Sequence, residues 1–343
     1  MTIRMYSWDD ADAPNLTSDG PGAMVNLLRK VLVDGYGSGD QEKPGMGWEM
    51  QWDSETNQRA AFRSSDPFST QIWLYVDDRS GADTGFSGGN RWARAWGMET
   101  FDGWEAGEPQ FTGRFPLDSQ SSFGVTVAKN YQENSTVVPW IIVASERSFY
   151  LVVDHARKDG FESTANGGGG SIHFFGDIVS RLSGDAYQFA VCGGGSEDST
   201  TDNVAAIWHI ANTLSNPDTG LYISRAYNQE HLSANIYSSG SMLRSGASGW
   251  SYATGDYHYP CLVTGRLIMQ KVGIEEQGAD RVFRGYWPGH YIAAHNIGDD
   301  TSNFPTRKLI GANGKEWVWL RGTANSGDNG GFFLDMTGPW YGD

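Results

Sequence analysis

Along this chain, apolar and polar positions alternate far more often than they recur at helical spacing. Trp48, Met50 and Trp52 are separated by Glu49 and Gln51, the period of a strand with one buried face. Residues 59–63, 71–76 and 92–98 carry strand signals too. Residues 137–144 and 148–153 form a pair joined by Ser145-Glu146-Arg147, short enough for a hairpin. Pro139 falls near the start of its run, where a missing amide is tolerated. Strands are also expected over 171–175, 187–191, 221–225 and 260–272, and around Val282, Tyr291, Leu309, 317–320 and 332–334. Residues 204–214 fit either helix or strand, and their context favours strand. One segment follows the other period: Met24, Leu27, Leu28, Val31 and Leu32 make an apolar face over 21–33. Asp19 or Ser18 can cap that helix, Pro21 suits its first turn, and Gly35 and Gly37 stop it. The pattern predicts a mainly β protein of antiparallel, sandwich-like sheets, with one N-terminal α-helix packed on the first sheet.

The polar, glycine-rich run 193–203 (GGGSEDSTTDN) interrupts the series and reads as a linker or exposed loop. It divides the chain into an N-terminal β domain, 1–192, and a C-terminal β domain, 204–343. No period of 20–50 residues is visible, which speaks against a propeller or solenoid.

Composition sharpens this reading. The 343 residues include 45 Gly, with 14 Trp, 15 Tyr and 16 Phe. Glycine at that density punctuates short strands with tight turns, and large rings fill inter-sheet space or make rigid contact surfaces. The formal charge of −16 disfavours a nucleic-acid groove, which needs a basic footprint, and an anionic membrane surface. Neither a long apolar span nor an apolar leader is visible, so a soluble chain without an export signal is expected. Cys192 and Cys261 lack metal or redox spacing and read as two buried thiols.

Three groups of residues carry a resemblance. The first is 6–37, with Asp12-Ala13-Pro14, the helix, and Val33-Asp34-Gly35-Tyr36-Gly37. The second joins Pro139-Trp140-Ile141-Ile142-Val143-Ala144 and Arg147-Ser148-Phe149-Tyr150-Leu151 to Phe174-Phe175-Gly176-Asp177 and Gly184-Asp185-Ala186-Tyr187. The third is Arg284-Gly285, Pro288-Gly289-His290-Tyr291, Leu334-Asp335 and Pro339-Trp340. In order and spacing, over about half the chain, these resemble a family of virion structural proteins of tailed bacteriophages, encoded among tail or morphogenesis genes. The resemblance implies a particle component present in many copies, assembled in the host cytoplasm, with self-contacts and other virion proteins as partners. It leaves tail, baseplate, neck and capsid surface open, and it brings no catalytic residues.

Candidate chemistry is sparse. Asp9-Asp10, Asp77-Asp78 and Asp299-Asp300 are adjacent carboxylates, but neighbours in a strand face opposite ways, unlike the pair that flanks a glycosidic bond. Asp77-Asp78 reads as a turn at a strand end. The seven histidines form no HxH or HExxH unit, so no metal is expected. Asp77, Asp78 and Asp83, or Asp299 and Asp300 with Asn303, could offer oxygen to calcium, but the EF-hand pattern is missing. Residues 245–249 approach a nucleophile elbow in composition without its strand-to-helix setting. Trp92, Trp96, Phe101 and Trp104 form one aromatic cluster, read as core because Trp92 and Trp96 alternate inward with Arg94 between them. Trp250, Tyr252, Tyr257 and Tyr259 form a second, flanked by Ser and Gly, and are the preferred interface or glycan contact. The expectation is therefore a non-enzymatic, cofactor-free, homo-oligomeric virion component of tail or baseplate. The alternatives are a capsid-surface decoration protein and a glycan-binding receptor-recognition module. A carbohydrate-degrading enzyme ranks last.

Overall fold

The computed structural model describes residues 1–53, 56, 58–80, 89–117, 124–130, 135–153, 171–194, 219–226, 236–238, 269–276, 282–293, 307–312, 314–321 and 331–341. Its strands in chain order are β1 (Arg4–Ser7), β2 (Trp48–Trp52), β3 (Arg59–Ser64), β4 (Trp73–Asp77), β5 (Trp92–Glu105), β6 (Glu108–Phe115) and β7 (Val125–Ala128). There follow β8 (Trp140–Ala144), β9 (Ser148–Val153), β10 (Ser171–Asp177), β11 (Val179–Ser180), β12 (Phe189–Gly194) and β13 (Thr219–Ile223). The series closes with β14 (Ile236–Ser238), β15 (Met269–Glu276), β16 (Val282–Ala293), β17 (Arg307–Ala312), β18 (Lys315–Arg321) and β19 (Gly331–Asp335). The α-helix among the described residues, α1 (Ala23–Arg29), continues into a wider π-type turn over Lys30–Asp34.

All these strands pair antiparallel, in two sheets. The larger, 12-stranded sheet runs β1-β8-β9-β10-β12-β7-β5-β4-β3-β2, with β13 added on β12 and β6 on β5. The 7-stranded sheet runs β14-β15-β16-β19-β18-β17, with β11 added on β16. The fold is thus mainly β and sandwich-like, with the helix N-terminal.

Period-2 alternation assigns each face of the large sheet to a different core. One face (Phe62, Leu74, Val76, Trp140, Ile142, Phe149, Leu151) packs on Met24, Leu27, Leu28, Val31 and Leu32 of the helix and its turn. The other face (Ile141, Val143, Tyr150, Val152, Phe174) packs on Trp287, Val318, Leu320 and Leu334 of the second sheet. Helix, large sheet and small sheet are therefore stacked as layers, and β8 and β9 are apolar on both sides because both sides are covered.

Chain order and sheet membership do not coincide. β12 already contains Gly193 and Gly194, the first residues of the expected linker, while 195–218 lie outside the described residues. β13, from beyond that run, completes the large sheet, and β11, from before it, joins the small one.

Candidate functional site: a shared framework, a folded-back arm and an open edge

The residues that carry the resemblance meet in space. Tyr6 of β1 lies opposite Ile142 of β8, and the Trp140 indole N–H donates to the Pro14 carbonyl at 3.1 Å. The Arg147 guanidinium grips Asp177 at 2.9 Å, and Arg284 forks onto both oxygens of Asp185 at 2.8 and 2.7 Å. The Tyr150 hydroxyl donates to the Pro288 carbonyl at 2.9 Å, linking the two sheets. Trp340 donates its indole N–H to the Asp335 carbonyl at 2.8 Å and sets its ring edge-on to Tyr150. Gly289 has φ +60°, and a Cβ there would stand 2.1 Å from the Trp340 indole nitrogen, so the close approach requires glycine. Segments far apart in sequence thus meet on both faces of the large sheet: the first group on the helix side, the second and third where the two sheets face each other.

The carboxylate pair Asp77-Asp78 ends β4, as the turn reading expects, and does more. Asp77 is held by Arg94 at 2.6 Å and Arg79 at 2.8 Å. Asp78, on the next residue and therefore the other side, is 0% exposed and meets the equally buried Lys129 at 2.5 Å. Its second oxygen accepts the Met24 amide at 2.8 Å, and its carbonyl accepts the Gly22 amide at 3.0 Å. This corrects the expected cap. Neither Asp19 nor Ser18 closes the helix; Gly22 occupies the cap position at φ 88°, and the carboxylate arrives from a distant strand. Burial pushes the Asp78 carboxyl up to about 6 against the pull of Lys129.

The first aromatic cluster forms a separate small core of Trp73, Tyr75, Trp96, Met98 and Phe101. Trp92, Arg94 and Trp96 are two residues apart and share a face, while Ala93 and Ala95 face the helix. Arg94 is therefore not turned away between inward tryptophans; its guanidinium lies 5.4 Å from the Trp96 ring centroid. Beyond Met98 the β5–β6 hairpin is an arm that bends at a bulge between Phe101 and Gly103 and folds back over the β3–β4 face. Trp104 sits 6.2 Å from Tyr75, with the Arg59 guanidinium 5.0 Å from its ring centroid. Arg59 donates to the Gly107 carbonyl at the arm's tip and forks onto the buried Asp53 at 2.9 and 2.6 Å. Arg59→Met should leave Asp53 buried without its cation and undock the tip, at a cost of about 3 kcal/mol. Hydrogen exchange would then show faster amide exchange over 105–108 than in the parent; unchanged exchange would refute the latch.

Every buried carboxylate among the described residues (Asp53, Asp77, Asp78, Asp177, Asp335) has a lysine or arginine within salt-bridge distance. Their charge is engaged in joining strands. Asp9 and Asp10 close the turn after β1, where Asp10 accepts from the Ser7 amide, the Tyr36 hydroxyl and Lys43. Among the described residues no three His, Cys, Asp or Glu side chains gather to hold a metal. Trp250, Tyr252, Tyr257 and Tyr259 lie outside the described residues, as do Asp299-Asp300, residues 245–249, Cys261, and the histidines other than His173 and His290. Cys192 is buried and free, and burial pushes its thiol up to about 12. A thiol reagent at pH 8 should therefore label it only after denaturation, read by mass spectrometry of the peptide; labelling of the folded protein at Cys192 would contradict the burial.

Among the described residues, sequence reasoning missed two exposed aromatic side chains. Phe68, 80% exposed, stands on the β3–β4 loop, whose Asp66 carboxylate accepts the Phe68 amide at 2.8 Å. The same loop is tied to β10 where Thr70 donates to Asp177 at 2.6 Å. Trp52, 39% exposed, ends β2, the last strand of the large sheet. A period-2 pattern could have flagged Trp52 only if the open edge beside it had been known. Comparison with known protein families finds none that matches this chain, and comparison with curated proteins finds no match in sequence.

Proposed function

We propose that this chain is a non-enzymatic structural component of a tailed-phage virion, associated with the tail or baseplate. It acts through self-assembly and through contacts with neighbouring virion proteins. What supports this reading is that the second and third resembling groups meet between the sheets through Asp185–Arg284 and Tyr150–Pro288, while Arg147–Asp177 ties the second group together within the large sheet and the first group packs on that sheet's other face. Residues that share both a pattern and a contact network are those a common scaffold needs. The β2 edge, unpaired among the described residues, and the exposed Phe68 and Trp52 supply rigid contact area of the kind interfaces use.

The test is mass spectrometry of fractionated phage particles, with heads and tails separated and copies counted. Tail fractions carrying about six copies or a small multiple fit a ring component of cyclic symmetry. Hundreds of copies with the head would make it a capsid-surface decoration protein. Absence from both fractions would overturn the structural reading.

A further inference from the structure

Among the described residues, the ends of the two sheets are not equally protected. β1 carries Arg4, β17 carries Arg307 and Lys308, and β14 is only three residues long. Short length and basic side chains are the usual guards against edge-to-edge pairing. β2, Trp48-Glu49-Met50-Gln51-Trp52, has neither Lys, Arg nor Pro, and its register with β3 contains no bulge.

The phase of its hydrogen bonds is also fixed. Ser65 N–H donates to the Gly47 carbonyl and Asp53 N–H to the Arg59 carbonyl, so odd-numbered residues bond inward to β3. The amides and carbonyls of Met50 and Trp52 consequently point outward. Among these outward-bonding even positions exposure rises along the strand: Trp48 is buried, Met50 half-buried and Trp52 exposed, while Glu49 and Gln51 on the other face are both exposed. The available stretch is thus Met50–Trp52, centred on Gln51.

We propose that this edge pairs antiparallel with the same edge of a second copy, across a two-fold axis through Gln51. In that register Met50 and the partner's Trp52 exchange both backbone bonds, as do Trp52 and the partner's Met50, about four hydrogen bonds in all. Gln51 meets its own copy as a non-hydrogen-bonded pair, where two neutral amides face each other. A thioether meets an indole on either side, a favourable sulfur–aromatic pairing. Glu49 faces the partner's Asp53, but each is already neutralised in its own chain, by Arg63 and Arg59. The charges thus permit this register, whereas an axis through Glu49 would set two carboxylates face to face at its centre. The pairing is a property of the purified chain, so it stands or falls separately from the particle assignment.

Cysteine cross-linking of the full chain tests it. At a non-hydrogen-bonded antiparallel position the Cα atoms are about 4.5 Å apart, within disulfide reach. Gln51→Cys should form a disulfide-linked dimer under mild oxidation. Glu49→Cys, carried away from its own copy by the same axis, should not, and neither should the parent chain. Sedimentation equilibrium adds a second reading: Gln51→Glu, on an exposed side chain, should weaken self-association roughly three- to tenfold. A Gln51→Cys protein that stays monomeric on non-reducing gels, a Glu49→Cys protein that links equally well, or a dimer indifferent to Gln51→Glu would each overturn the proposal.

Discussion

Replacing Lys129 with methionine is expected to cost the fold about 3–5 kcal/mol, a large share of a typical domain's stability. The ammonium and the Asp78 carboxylate are 2.5 Å apart and both fully buried. Removing one partner leaves the other charge without water or counter-ion, which is the expensive half of any buried pair. Lys129 also donates to the Gly20 carbonyl at 3.1 Å, so the segment that leads into the helix loses an anchor as well. The companion experiment is the double variant Asp78→Asn/Lys129→Met. An asparagine oxygen still accepts the Met24 amide, while no charge remains to be desolvated. Chemical denaturation should show the double variant recovering most of the loss. If the single variant costs under about 1 kcal/mol, the pair is exposed rather than buried and the layered account of this region fails.

The second large effect is a pH slope. Burial holds His290 neutral, with its pKa lowered to about 3. The unfolded chain takes up a proton near the ordinary histidine value of about 6.5. Between these limits the unfolded state binds the extra proton, so stability is present in full above pH 6.5 and is lost as pH falls. The slope approaches about 1.4 kcal/mol per pH unit for this group alone. Asp78, with its pKa raised, slopes the other way: its contribution is present below about pH 4 and lost as pH climbs through about 6. The comparison must therefore be between the parent and His290→Phe, in which the Asp78 contribution is common and cancels. Phenylalanine keeps a ring beside Tyr150 and Trp287, the neighbours His290 contacts edge-on. Urea midpoints from pH 7.5 to 5 should fall more steeply for the parent than for the variant. Parallel curves would mean that His290 reaches solvent.

Legibility in the sequence followed locality. β2 and β9 appear at the residues where alternation and a short turn place them, because their signals lie within a few neighbouring positions. The β5–β6 arm was invisible past Met98: Glu108–Phe115 carries Pro109, Gly113 and scattered charge, and it is a strand because β5 pairs with it. The helix was visible but its cap was not, since Asp78 sits 54 residues from the amide it accepts. The apparent spacing of Trp92, Arg94 and Trp96 misled for another reason. Period-2 logic puts all of them on one face, and a cation there is acceptable only because Asp77 and an indole ring wait for it. Edge exposure at β2 belongs to the sheet, not to any one strand, so no local pattern could announce it.

The crossing of chain order and sheet membership has a consequence for biosynthesis. The hydroxyl of Tyr150 bonds a carbonyl 138 residues later, and Phe174 packs edge-on against Trp287. While the ribosome is still short of Pro288, a nascent chain can raise β8, β9 and β10 around the helix but lacks Trp287, Val318, Leu320 and Leu334, which the described residues place over their second apolar face. That face must stay out of contact with other nascent chains until the later strands emerge. Non-local pairing of this kind folds slowly and favours completion after release. Yield should therefore respond to translation rate, growth temperature and chaperone supply more than to the stability of the finished protein.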